Sequence, residues 1–461
     1  MYKKICSRTI SSLKSISGED AVLTSESGLL PYAEDESRIS PFPPEAVVRP
    51  SSPEQIAEII KLAAAEKFPV TPRGGGTSLS GGPLAVMGGL ILSYERLNRV
   101  KDLDHESRMA VVEPGVINAA LQAEAEKQDL FYPVNPASMD TCTIGGNVAA
   151  STGGANTVRY GTTRNYLTGI KAVDGSGASW KSGGGVIKNS TDQILMQLMC
   201  GSEGVLSVFT ELTMRLLPRP LSVTWMIAPF EDIFSIPRAA HEIIGRGMNP
   251  TMIELMDRYT LSCCAAQTGS PVQHQDKNHL LIRFDSDDSE TLEKLTLKAG
   301  DICFKAGACD VLIAGSRADQ EKIWKLRSSI HEALITQADS VFEEDVVVPV
   351  GKVSRLIENI HNISNANSMR AAVFGHLGDG NMHINFTRGK NAPVTPVEHI
   401  RDEVFRTALE LGGKLSGEHG IGISKNKFFR KYTDPVYLKR LKEIKKLFDP
   451  QGILNPGKLV I

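Results

Sequence analysis

The segment GHLGDGNMHINF, residues 375–386, sets His376 and His383 seven positions apart in a run of Gly, Asp and Asn bounded by apolar residues. Imidazoles at that spacing can ligate a metal, move a proton or simply satisfy a turn, and the segment alone leaves all three open. A second segment, LSGEHGIGISKNKFF (415–429), puts Glu418 and His419 side by side between glycines that let the chain run close to a ligand. If His376, His383 and Glu418 converge, they form a two-His, one-carboxylate set with open positions, suited to a borderline divalent metal that must also bind substrate. Neighbours on an extended segment point to opposite sides, so Glu418 and His419 do not both reach one ion without a local turn. One ligates and the other is left for proton chemistry.

The whole chain narrows the setting. Its 461 residues suffice for about two to three globular domains. Acidic residues number 53 and basic residues 51, so the chain lacks the charge footprint that draws nucleic acid, and membrane association is at most peripheral. Seven cysteines fall at 6, 142, 200, 263, 264, 303 and 309 without a C-x-x-C pair. That is unlike a disulfide framework or zinc knuckle and excludes an iron–sulfur cluster of the usual ligand spacing; reduced thiols and a cytoplasmic location are expected. The N-terminal MYKKICSRTISSLKSIS is basic and Ser-rich but has no continuous apolar run, and a soluble helix is expected there.

Several elements must position these groups. Residues 42–72 read as strand, helix, strand, with Ser52, Pro53 and Gln55 fitting N-cap, first helical position and capping-box partner. That helix delivers a strand into the first of four glycine clusters: RGGGTSLSGG (73–82), TIGGNVAASTGG (143–154), SGGGVIKN (182–189) and GSEG (201–204). Clustered glycines bring backbone N–H groups close to a ligand, and repeated clusters fit one extended, phosphate-bearing cofactor. The first loop lacks the Lys-Ser/Thr of a Walker loop and the G-x-G-x-x-G of a dinucleotide fold. From about residue 219, segments such as LSVTWMIAPF and KNHLLIRF alternate with amphipathic stretches such as SETLEKLTLKAGDICFKA and DQEKIWKLRSSIHEALI. These predict a second α+β domain, with the boundary in LLPRPLS near Pro218–Pro220.

With NPASMDTCTIGGNVAASTGGANTVRYGTTRNYLTGIKAVDGSG, LMCGSEGVLSVFTELTMRLLP and the closing FDPQGILNPGK added, the chain resembles the FAD-linked oxidases of vanillyl-alcohol oxidase type. The resemblance runs from about residue 40 to the C-terminal signature. It is strongest to the branch of the glycolate oxidase catalytic subunit, the D-lactate dehydrogenases and the D-2-hydroxyglutarate dehydrogenases, which carry GHxGDGNxH and GEHGxG. It implies an α+β fold: a two-subdomain FAD-binding domain over 1–219, a substrate (cap) domain with an antiparallel sheet and the metal site over 220–430, and a C-terminal segment, 431–461, returning to the FAD domain.

The same resemblance implies roles. Residues 73–82, with Arg73, Gly74, Gly75, Gly76, Thr77, Ser78 and Gly81, would hold the FAD diphosphate. Residues 136–154, with Pro136, Ser138, Thr143, Gly145, Gly146, Asn147, Ser151, Gly153 and Gly154, would line the isoalloxazine and ribityl region. Glu203, Gly204 and Val208 would lie on the adenine side, and Asn455 would return to the flavin. The first loop contains neither His nor Cys, so the FAD is expected to be noncovalent. His376, His383 and Glu418 would bind zinc or manganese, with iron a further candidate, and His419 would be the general base. Arg327, in the W-x-x-R pattern of EKIWKLRSSIHEAL, would grip the substrate carboxylate in two parallel hydrogen bonds. Asn385 would be a polar substrate contact.

The sequence departs from the hydroxyglutarate enzymes in having His331, another substrate-facing candidate, four residues after this Arg, where they have Thr. It also has the acidic FEEDVVVP where they supply Lys. A distal carboxylate would meet Glu343 or Glu344, so D-lactate or glycolate is favoured over D-2-hydroxyglutarate. The expected function is oxidation of a small D-2-hydroxy acid by FAD and a metal. The electrons would go to a partner such as an electron-transfer flavoprotein, an iron–sulfur subunit or a quinone-linked carrier, and a homodimer is compatible with the sequence. Competing readings are a zinc hydrolase, in which the same ligands activate water, a flavoprotein without net oxidation, as in ether-lipid synthesis, and a catalytically idle subunit.

Overall fold

The computed structural model describes residues 2–269, 273–338, 340–388 and 397–459. By compactness the chain divides into two units, one of Met1–Thr152, Thr162–Arg219 and His419–Ile461, the other of Gly153–Gly161 and Pro220–Glu418. The expected C-terminal return at 431 thus begins earlier, at His419, and a short stretch before residue 162 goes to the second unit. Hydrogen bonding explains both. Ser80 and Glu203 hold the backbone of 419–424 within the first unit. In the second, Arg159 and Tyr160 bond the buried carboxylate of Asp285.

The first unit carries two main sheets. A four-stranded one orders Val22–Leu23, Ala46–Val48, Leu90–Ser93 and Val70–Arg73, with the last three strands parallel. A five-stranded antiparallel one orders Val100–Asp104, Met109–Val112, Ser207–Arg215, Leu167–Asp174 and Ser179–Gly183. The helix Pro53–Glu66 starts as its sequence predicts. Ser52 Oγ accepts from Gln55 N at 3.3 Å, and Pro53 opens the first turn. The reach-back of Gln55 goes one residue earlier than a capping box requires, Oε1 accepting from Ser51 N at 2.8 Å. Ile56, Ile59, Ile60 and Ala63, spaced for one helical face, join Val48, Val70 and Leu90 in the core. The helix thereby delivers Val70–Arg73 into the glycine loop.

The second unit is built on a seven-stranded antiparallel sheet among the described residues: β1 (Ser222–Phe230), β2 (Met252–Met256), β3 (Asn278–Ser286), β4 (Leu312–Ala314), β5 (Ser340–Val347), β6 (Arg370–His376) and β7 (Asn381–Arg388). Their order is β4-β1-β3-β2-β6-β7-β5, so the strand pair carrying the two histidines lies between β2 and β5. DQEKIWKLRSSIHEALI forms two helices, Arg317–Ser328 and Ile330–Gln337, broken at Ser329. No helix among the described residues is long and apolar enough to cross a membrane.

The C-terminal helix Pro435–Phe448 ends on a buried pair. Lys445 Nζ donates to the carboxylate of Asp449 and, at 2.7 Å each, to the carbonyls of Val205 and Leu454. Asp449 also accepts from Ile453 N at 3.0 Å and Leu454 N at 2.7 Å. Removing one partner of a buried pair leaves an uncompensated charge. Lys445→Met should therefore cost about 3 kcal/mol, read as a lower urea midpoint; an unchanged midpoint would show that the pair does not hold this segment.

Candidate active site

In β7 the period of two sends Asn381, His383, Asn385 and Thr387 to one face and Met382, Ile384 and Phe386 to the other. Tight turning at Gly380, whose φ is 82° and where a Cβ would collide with the Val348 carbonyl, closes the β6–β7 hairpin. His376, at the end of β6, and His383 then present Nε2 to the same oxygen, Glu418 Oε1, at 3.3 and 3.4 Å. One ligand atom from each of the three residues lies within 4.8 Å of the others. Two donors about 2.0–2.1 Å from a tetrahedral ion stand about 3.3 Å apart, so this set fits a zinc-sized ion.

Carboxylates hold each ligand from behind. His376 Nδ1 lies 2.5 Å from Glu254 Oε1, and His383 Nδ1 lies 3.5 Å from Glu343 Oε1. The bonded partner on His376 Nδ1 leaves Nε2 of that ring free to face Glu418 Oε1, which His383 Nε2 faces as well. Glu418 is placed through its backbone: Asp345 accepts from Gly417 N at 3.1 Å, Glu418 N at 3.2 Å and Ser416 Oγ at 2.6 Å. Asn381 Nδ2 donates to the other Asp345 oxygen at 2.5 Å.

Arg327 is buried in the last turn of its helix. Its Nε donates to Glu254 Oε2 at 2.7 Å, its Nη2 forms an ion pair with the same oxygen at 2.7 Å, and its Cζ stands 5.2 Å from the Phe374 ring centre. The amide of Asn385 is fully buried with neither end hydrogen-bonded. His331 gives Nδ1 to Glu343 at 2.8 Å, while its Nε2 is buried without a hydrogen bond. The acidic segment narrows one expectation. Glu344 is fully buried and bonds Arg401, so only Glu343 of the pair stands on the histidine side.

In the first unit the N–H groups of Gly74 to Leu79 donate to no protein acceptor among the described residues. Six successive amides of that kind form a cradle for an anion. The loop lies against the second glycine cluster, since a Cβ on Gly74 or Gly75 would strike Thr143 or the Thr141 carbonyl. Thr143 itself caps the helix Ile144–Ala150, accepting from Gly146 N at 3.1 Å. Four of the expected cofactor residues have side chains engaged within the protein. Arg73 Nη2 donates to the carbonyls of Glu34 at 2.8 Å and Pro31 at 3.3 Å. Glu203 accepts from Ile421 N and Gly422 N at 2.7 Å each. Asn455 Nδ2 donates to the carbonyls of Gly82 at 3.1 Å and Glu203 at 2.7 Å. Val208 is in the core.

Comparison with known proteins shows the family. The profile of the FAD binding domain matches residues 44–183, and that of the C-terminal domain of FAD linked oxidases matches residues 219–459. The chain belongs to the FAD-linked oxidases. Relatives of this FAD-linked oxidase include a D-lactate dehydrogenase of Anaerostipes hadrus, 34% identical over 99% of this chain and 98% of the relative. The glycolate oxidase subunit GlcD of Bacillus subtilis is 33% identical over 96% and 95%. A D-2-hydroxyglutarate dehydrogenase of Stutzerimonas stutzeri is 32% identical over 98% of each. The fold matches that of p-cresol methylhydroxylase with a TM-score of 0.78 at 17% identity, over 98% of this chain and 96% of that one. It is the expected fold of vanillyl-alcohol oxidase type, and the chain is an FAD-linked oxidoreductase. The amides of Gly74 to Leu79 fit the diphosphate of that cofactor.

Two residues of this oxidase that sequence reasoning missed are Glu254 and Asp345. Glu254 stands within an apolar run, TMIELM, and Asp345 heads one, DVVVP; a charge in or against such a strand-like run was the available signal.

The electrostatics follow from the same contacts. Burial works against charge on both imidazoles, but Glu254 and Glu418 together raise His376 well above the usual imidazole range. Against the same burial, Glu343 and Glu418 raise His383 to about 9. Burial likewise opposes the Glu418 carboxylate, which the two imidazoles nonetheless hold far below the ordinary range. Without metal, the native state therefore holds protons that the unfolded chain releases near pH 6.5. That stabilisation is fully present below pH 6.5 and lost as pH rises through about 9. In a chelator, the thermal midpoint should accordingly fall between pH 6.5 and about 9; a midpoint that rises over that interval would contradict this reading.

Proposed function

We propose that this oxidase converts a small D-2-hydroxy acid, D-lactate or glycolate, to the 2-oxo acid. His376, His383 and Glu418 would bind a divalent ion, zinc or manganese, and the electrons would pass to a partner protein. The observation that carries the reading is the spacing of the three ligand atoms, 3.3 and 3.4 Å about Glu418 Oε1, beside a buried arginine. When bound, the ion supplies Lewis acidity to a hydroxyl and the flavin accepts the hydride from C2. The protein does the rest. Arg327 holds the substrate carboxylate, its planar fork fixing the direction of approach. Asn385 gives the hydrogen bonds that its buried amide lacks. His419, next in the chain to Glu418, takes the hydroxyl proton.

Short substrates are supported by charge. Glu343 already serves His331 and His383, and a distal carboxylate near it would meet like charge. D-2-Hydroxyglutarate is the second reading, favoured by the unbonded Asn385 amide and by the hydroxyglutarate relative. Membership in the FAD-linked oxidases removes the support for a zinc hydrolase. An electron-transfer flavoprotein, an iron–sulfur subunit or a quinone-linked carrier would take the electrons, since the sequence has neither an NAD fingerprint nor cluster spacing.

An anaerobic visible spectrum tests the reading. D-lactate or glycolate should bleach the flavin while L-lactate does not and D-2-hydroxyglutarate bleaches it poorly; a flavin bleached by no hydroxy acid would overturn the proposal. His419→Ala should keep flavin and metal but lose on the order of 10²–10⁴ in reduction rate. His376→Ala should lose the metal first, read as metal per flavin. An undiminished reduction rate in the first variant, or full metal in the second, would remove that residue from its role.

A further inference from the structure

Glu254 is the one charged residue of β2, flanked by Met252, Ile253, Leu255 and Met256, and it is fully buried. Its two oxygens are divided. Oε1 meets His376 Nδ1 at 2.5 Å, and Oε2 accepts from Nε of Arg327 at 2.7 Å and lies 2.7 Å from its Nη2 in an ion pair. We propose that Glu254 is a positioning residue that couples divalent-metal affinity to binding of the substrate carboxylate. This rests on the ligand set and the anchor proposed above, and no feature of the sequence motifs assigns it.

Each half of the contact has a chemical consequence. A carboxylate on Nδ1 keeps the proton on that nitrogen, which leaves the Nε2 lone pair of His376 for an ion. On the other side, Glu254 occupies the Nε–Nη2 edge of the guanidinium, while Nη1 donates to no acceptor among the described residues. Because the guanidinium is planar, fixing one edge aims the Nη1 side, and that side remains to take a carboxylate. Phe374 closes the arrangement, lying beneath Arg327 and stacked on His383 with ring centres 5.2 Å apart. In a 2-hydroxy acid the hydroxyl carbon is bonded directly to the carboxylate carbon, so the ion and the anchor must keep a set separation. Glu254, bonded to both His376 and Arg327, sets it. Glu343 supports His383 in a comparable way but has His331, not a guanidinium, on its other oxygen.

The test is Glu254→Gln, which keeps the shape and cannot serve both neighbours. With the amide oxygen on Arg327, the NH2 faces His376 Nδ1, and the ring proton moves to Nε2, which blocks ligation. With the amide turned, NH2 confronts the guanidinium N–H groups and displaces the anchor. The FAD-loaded E254Q protein should keep its flavin spectrum, and its thermal midpoint should fall because the buried Arg327 guanidinium loses its counter-charge. Its Zn²⁺ affinity, measured by chelator competition without substrate, should weaken about 10–100-fold, and KM for D-lactate should rise with it. Arg327→Met should raise KM and leave Zn²⁺ affinity at the wild-type value. Glu254→Asp, which retains the carboxylate, should recover Zn²⁺ affinity relative to E254Q, and it decides by the same readouts if E254Q does not fold.

Zn²⁺ affinity and KM both unchanged in E254Q would overturn the coupling, as would an R327M protein that loses Zn²⁺ to the same extent. An E254Q that loses only stability, with E254D at wild-type affinity and KM, would make the residue purely structural and overturn it as well. Wild-type protein that binds neither Zn²⁺ nor Mn²⁺ would instead overturn the metal reading under Proposed function, and this coupling with it.

Discussion

A charge taken out of water must be paired, and the second unit is organised around that constraint. Its sheet buries Glu254, Asp285, Glu344 and Asp345, and a helix against it buries Arg327; Glu254 pairs with His376 and Arg327, Asp285 with Arg159, Glu344 with Arg401, and Asp345 with Ser416 Oγ, the 417–418 amides and Asn381. Strand order makes the pairing local. Because β2, β6, β7 and β5 are consecutive in the sheet, Glu254 stands opposite His376, and His383 opposite Asp345. The ligand geometry is thus a by-product of how the sheet disposes of its charges. Apolar packing builds the sheet, and the paired charges fix its register beside the site.

Much of this was legible in the sequence, for reasons that can be named. Glycine clusters announced a cofactor because backbone amides and positive φ are what a phosphate cradle needs, and the amides of Gly74 to Leu79 are unengaged by protein acceptors among the described residues. The two histidines and Glu418 were readable as a set because their types and their glycine surroundings limit what they can do. Arg327 was readable only by resemblance: helix periodicity places it on a face and cannot show that the face is buried.

FEEDVVVP shows where the reading fell short. The sequence offered Glu343 or Glu344 to a distal carboxylate without choosing between them. Strand alternation chooses, since Glu343 and Asp345 share one side and Glu344 takes the other. Glu254 escaped notice because its partners lie 73 and 122 residues away, and no local pattern carries such information. Likewise, the side chains of Glu203 and Asn455 serve backbone groups of the same unit, a structural task that their motifs do not reveal.

The first unit is closed by contacts of very long range. Ser80 Oγ donates to the carbonyl of His419 at 2.8 Å, and the Ser80 carbonyl accepts from Ile423 N at 2.9 Å and Ser424 N at 3.1 Å. Long sequence separations slow folding, and a chain emerging from the ribosome forms such pairs last. The peptide bearing the proposed base therefore takes its place only after residues 419–424 have been made, at least 339 residues after Ser80. Until then a nascent chain, even one that holds flavin in its glycine loop, has no seat for that base.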